Sequence, residues 1–125
     1  MNPQKRAVIT VDPSRNLVKI SFAGDIGVAE IRDYETDVGL ILATLGRDFL
    51  LVTDLTDLNS MDVLCAPFIR RTMDQFRSHG VGRVVRIIPD RRKDIGFNIM
   101  SLFHYPRGVQ IITCDNRAEA ERALK

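Results

Sequence analysis

An apolar run from Phe49 to Val52 stops abruptly at Thr53-Asp54, a short polar stretch follows, and an apolar helical pattern opens near Phe68. That succession predicts a buried strand delivering its C-terminal end to a loop and then a helix. In open α/β sheets, ligands and partners meet the protein at that edge. Residues 54–62 therefore become the first place to look for function.

The rest of the chain is organised around the same unit. Ala7-Val8-Ile9-Thr10-Val11 is β-rich, Asp12-Pro13-Ser14-Arg15-Asn16 is turn chemistry, and Leu17 to Phe22 alternates, so the opening reads as a hairpin. Gly24-Asp25 closes it, with Asp25 as a helix cap. Val28, Ile31, Val38, Ile41, Leu42 and Leu45 then share one helical face, with Gly46 just beyond the helix end. A second helix turns Phe68, Ile69, Thr72, Met73 and Phe76 inward and Arg70, Arg71, Asp74 and Arg77 outward, ending at His79-Gly80. A strand over Val81–Ile88 stops at Pro89. A third helix is expected over 92–103, burying Ile95, Ile99, Leu102 and Phe103. Val109–Thr113 reads as the fifth strand, and Asp115 as the cap of a last helix running to Leu124. The order is ββαβαβαβα: one α/β domain over 1–125, with five strands in a mixed, mostly parallel sheet and about four helices.

Three local features carry a resemblance. They are the opening hairpin, the stretch from Asp54-Leu55 to Met61-Asp62, and the closing Glu119-Ala120-Glu121-Arg122-Ala123-Leu124 helix after Thr113-Cys114. Together they resemble the STAS domains (sulfate transporter and anti-sigma factor antagonist), whose sandwich is also called SpoIIAA-like. The resemblance covers essentially the whole chain. In the bacterial antagonists of that family, a serine directly after the Met-Asp pair is phosphorylated by a partner kinase, and the added charge ejects the partner. Here Val63 stands in that place and has no hydroxyl. Pro67 departs as well, because proline fits only a helix's first turn and disfavours helical geometry at Ala66. The regular helix is therefore expected to start nearer Cys65 or Ala66. The nearby hydroxyls, Thr56 and Ser60, read as loop or cap hydrogen bonders.

Other chemistry is scarce. Gly80-Val81-Gly82 precedes a strand rather than a helix, so it is no dinucleotide loop. No His, Cys and carboxylate cluster has metal spacing, and no cofactor is expected. Cys65 and Cys114 read as reduced, packed thiols of a cytoplasmic protein, and no membrane span or secretory signal is visible. His79 suits a helix C-terminus, and His104 reads as a helix end before Pro106. Nothing in the sequence brings Cys65 and His104 together as a nucleophile and base. Residues 23–62 hold nine acids against Arg32 and Arg47, whereas 63–95 are rich in arginine. These arginines are not interleaved with aromatics, so nucleic acid is not an expected partner.

The expectation is a non-enzymatic regulatory domain that binds a protein partner and is not switched by serine phosphorylation at the family position. The partner face would comprise Thr56, Asp57, Asn59, Ser60, Met61, Asp62 and Val63, with Arg70 and Arg71 on the following helix. Asp54, Asp57 and Asp62 read either as an acidic edge of this face or as turn and cap chemistry. The alternative is a small carrier of an apolar or lipid ligand. The region around Phe97, Met100, Phe103 and His104 has apolar residues on more than one helical face, which suits a pocket wall or a homodimer contact.

Overall fold

The computed structural model describes residues 6–88 and 109–124. The expected third helix over 92–103, and with it Phe97, Met100, Phe103 and His104, lies outside the described residues.

Five strands form one sheet in the order β1-β2-β3-β4-β5. Strand β1 (Ala7–Asp12) and β2 (Leu17–Ile26) are antiparallel, joined by a 3-10 turn over Pro13–Arg15. Asn16 closes that turn in the left-handed conformation, with φ 48°, which asparagine tolerates well. Strand β3 (Leu50–Met61), β4 (Arg83–Ile87) and β5 (Gln110–Cys114) follow β2 in parallel. Helix α1 (Val28–Leu42) joins β2 to β3, α2 (Ala66–Ser78) joins β3 to β4, and α3 (Arg117–Ala123) follows β5. These are the three α-helices among the described residues.

The helices divide between the two faces of the sheet. Successive strand residues point to opposite faces. Val18, Ile20, Phe22, Leu51, Leu55 and Val84 form the main core with Ile31, Tyr34 and Val38 of α1 and Ile69, Met73 and Phe76 of α2. Leu17, Val52, Val85, Ile87 and Cys114 form a second cluster on the other face, where Ala120, Ala123 and Leu124 of the α3 region pack. Tyr34 packs edge-on against Phe22 at 5.2 Å between ring centroids. It also hydrogen-bonds Thr72, and burial pushes its hydroxyl pKa well up.

Several boundaries differ from those read in the sequence. The expected loop at 54–62 is largely strand, because β2 continues to Ile26 and pairs β3 out to Met61. The pairing slips between Ser21 and Ala23, opposite Asp54 and Asp57, and again between Gly24 and Asp25, opposite Leu58 and Ser60. Each slip adds a residue to β3 and resets its alternation. Leu55, Leu58 and Met61, three apart, are consequently all buried. Asp25 lies in β2, and Gly27 stands at the N-cap of α1 in its place. Helix α1 ends at Leu42 rather than near Gly46, because Thr44 and Leu45 close tighter turns onto Ile41 and Leu42. Asn116, not Asp115, caps α3: its side chain accepts from the Glu119 amide, and Glu119 accepts from the Asp115 amide at 2.6 Å. The α2 start at Ala66 agrees with the reading from Pro67, which sits in the helix's first turn.

Candidate functional site

The C-terminal edge of the sheet is where β2 and β3 outrun β4. The β3–β4 ladder stops at Asp54 and Ile87, while the β2–β3 ribbon continues to Ile26 and Met61. Beyond the ribbon, Asp62 opens a 3-10 turn over Val63–Cys65 that leads directly into α2. The Asp62 carboxylate accepts from the Leu64 amide at 2.9 Å, and its carbonyl accepts from the Cys65 amide. This cap fixes the turn and settles where its side chains go. Cys65 points inward, fully buried, while Val63 is 62% and Leu64 64% exposed.

A shallow groove of about 500 Å³ runs beside this turn, between Asp25–Gly27 with Glu30 on one side and Ser60–Val63 on the other. Its walls carry three acids, Asp25, Glu30 and Asp62. The Asp25 carboxylate accepts from Ser60 Oγ at 2.6 Å and from Asn59 Nδ2 at 2.7 Å. Those two bonds, Ser60 first, hold its carboxyl below the usual value, with a smaller contribution from Arg6. Arg6 lies 3.5 Å from Glu30 and donates to the Asp25 carbonyl.

A second polar group lies on the face occupied by α3. Asp54 is 1% exposed and accepts from both the amide and the hydroxyl of Thr56. Arg117 Nε donates to Asp54 Oδ2 at 2.8 Å, and the other arm of the guanidinium donates to Asp57 at 2.8 Å. Lys19 stands 3.9 Å from the same Asp54 oxygen. Burial pushes the Asp54 carboxyl up, but the bonds from Thr56 and Arg117 outweigh it and hold it below the usual carboxylate value.

The residues expected at a partner face thus sort by what they touch. Val63 is the apolar member that stands out into solvent, and Leu64, absent from the expected set, stands beside it. Asp62 caps the turn and lines the groove. Ser60 and Asn59 hold Asp25, Thr56 holds Asp54, and Asp57 is tied to Arg117. Met61 is a correction: at 5% exposure it belongs to the main core and supports the edge from beneath. On α2, Arg70 is exposed. Arg71 is engaged along the helix surface, forking onto Glu35 at 2.6 and 3.0 Å with its guanidinium 4.5 Å from the Phe68 ring centre.

Asp25 and Arg117 have no local signature of these roles. The first was masked by its resemblance to a helix cap. The second reaches carboxylates about sixty residues away that only the sheet topology brings near.

Burial first, then the nearby charges of Asp62 and Glu30, push the Cys65 thiol up to about 11, and its sulfur lies 3.8 Å from the Ile26 carbonyl. It is a packed thiol rather than a nucleophile. Among the described residues, no three His, Cys, Asp or Glu side chains come together as a metal group, and no helix is long and apolar enough to cross a membrane.

No family model matches the sequence, and no curated protein matches it significantly. Solved structures do match. An uncharacterised DUF3478-family protein with a SpoIIAA-like fold from Shewanella loihica is 13% identical at a TM-score of 0.63, covering 100% of this chain and 98% of that one. The anti-sigma factor antagonist SpoIIAA in its unphosphorylated form is 12% identical at 0.63, covering 94% of each. An anti-sigma factor antagonist from Mycobacterium paratuberculosis is 15% identical at 0.58, covering 99% and 98%. The chain has the SpoIIAA-like fold.

Proposed function

We propose that this chain is a non-enzymatic, STAS-like regulatory domain that acts by docking a protein partner at the turn between β3 and α2. The carrying observation is the pair Val63 and Leu64. Two large apolar side chains stand in solvent on a capped turn, while their neighbours Met61 and Cys65 are buried. An isolated exposed leucine needs no explanation, but an adjacent pair held rigidly beside a groove suits an interface. The acids of the groove would form a polar rim around that apolar centre. The fold is shared with anti-sigma factor antagonists, which supports a regulatory reading over a catalytic one.

Phosphorylation at the family position is absent from this proposal. Val63 has no hydroxyl to modify. The Ser60 hydroxyl is engaged by Asp25, where an added phosphate would meet the negative charges of Asp25, Glu30 and Asp62. The domain would therefore bind constitutively or answer to another signal.

The test is the double variant Val63→Ser, Leu64→Ser. Both side chains are exposed, so the melting temperature should stay within a degree or two of the parent by order of magnitude. A partner identified by mass spectrometry on the parent should lose at least tenfold in affinity for the double variant, as expected for central apolar contacts. Unchanged affinity with both residues replaced would remove the site from this reading.

A further inference from the structure

Arg117 is the first residue of α3, and its guanidinium spans two carboxylates of β3, Asp54 and Asp57, at 2.8 Å each. One carboxylate is buried. The other is 61% exposed and stands on the β2–β3 ribbon that leads to the proposed docking turn. The helix that Arg117 anchors is short, with seven residues, of which only Ala120 is fully buried. A helix of that length has no stability of its own in water. Alanines offer little apolar area, so polar anchors carry an unusual share of what holds α3 down. The ground it sits on is the second apolar cluster, which includes Leu17, Val52, Val85 and Ile87.

We propose that Arg117 couples the docking edge to α3. The helix is a cover strapped across the second apolar face, and a partner cation that engages Asp57 removes one arm of the strap and loosens the cover. What engages Asp57 rests on the docking reading, whereas the strap rests on the geometry alone. The coupling is reciprocal, so whatever loosens α3 also frees Asp57 for a partner. Asp54 keeps the second arm in place throughout, because its buried carboxylate has no water to turn to.

Hydrogen exchange of the full chain, read by mass spectrometry, tests the strap without any partner. Asp57→Asn should speed exchange of the amides from Ala120 to Leu124 about twofold to fivefold, the scale of one exposed ion pair. Arg117→Gln loses both arms and should speed the same amides about tenfold or more, with residues 57–61 of β3 following. Arg117→Lys keeps the charge without the fork and should fall between them. In the parent and in all three variants the α3 amides should exchange faster than the slowest amides of α1, through an opening smaller than global unfolding. Parental exchange of α3 in both Asp57→Asn and Arg117→Gln would overturn the strap. Protection of α3 equal to that of the slowest α1 amides in the parent would overturn the cover, since α3 would then open only with the whole fold. Neither result depends on the fate of the Val63 and Leu64 test.

Discussion

Asp54 and Arg117 lie 63 positions apart in sequence and meet at 2.8 Å, the buried carboxylate of one held by the half-exposed guanidinium of the other. Strand β3 carries Asp54 on the face opposite α1 and α2, the face on which α3 begins. A carboxylate so placed would be costly if left alone, because desolvation disfavours its charged form. Thr56 supplies two donors from the same bulge, and Arg117 supplies the countercharge.

The two carboxylates that share Arg117 should therefore differ in weight. Asp54→Asn removes charge-assisted bonds from a buried site and should cost roughly 1.5–3 kcal/mol. Asp57→Asn acts on a side chain that is 61% exposed and should cost below about 1 kcal/mol. Urea unfolding of both variants at neutral pH measures the difference. Equal costs would mean that burial does not set the strength of these pairs.

Acid should erase the advantage of Asp54. Its folded carboxyl titrates below the ordinary value of 3.8, so between those values the unfolded chain binds more protons. The stabilisation is fully present above the ordinary value and is lost as pH falls through the lower, folded one. The unfolding free-energy gap between the parent and Asp54→Asn should stay constant from neutral pH to about pH 5 and narrow below about pH 4. Asp12 and Asp25, whose carboxyls are also lowered, remain in both proteins and cancel from the gap. A gap that widens on acidification would contradict the assignment.

Much of this architecture is legible in the sequence because it rests on local patterns. The Ile31, Val38 and Leu42 stripe gives α1, Pro67 fixes where α2 can begin, and the opening hairpin follows from Asp12-Pro13-Ser14. The continuation of β3 through Met61 was not legible, since two bulges replace period-two alternation with a spacing of three. The site was half legible for a related reason. Asp62 and Val63 follow from the strand–turn–helix succession, but the exposure of Leu64 depends on how the Asp62 cap turns the chain. Arg117 depends on non-local pairing that no window of sequence contains.

Two glycines should respond to alanine with opposite sign. A Cβ at Gly82 would lie 3.1 Å from the Asp48 Cα and 3.2 Å from its carbonyl, all backbone, and Gly82 also donates to the Phe49 carbonyl. The strand entry cannot yield easily there, so Gly82→Ala should cost about 1–3 kcal/mol. Gly39 sits inside α1 with nothing within 4 Å of an added Cβ. Gly39→Ala should stabilise by about 0.5–1 kcal/mol through helix propensity and lost unfolded-state entropy. Thermal melts of the two single variants would decide it, and a destabilising Gly39→Ala would mean that the open position is filled in solution.

Cys65 should be silent toward alkylation until the protein unfolds. Its side chain is fully buried beneath the 3-10 turn, and its thiol is pushed up to about 11 by burial and by the charges of Asp62 and Glu30. At pH 8 the thiolate is therefore a minute fraction, and no path to it is open. Iodoacetamide at that pH should leave the peptide containing Cys65 unmodified in the native protein and modify it fully in urea. Asp62→Ala tests the link to the docking turn. Losing the carboxylate that caps Leu64 should let the turn open and raise native labelling of Cys65 several-fold, by roughly the weight of one cap. Rapid native labelling in the parent would show that the turn is not held closed, and the rigid presentation of Val63 and Leu64 would lose its basis.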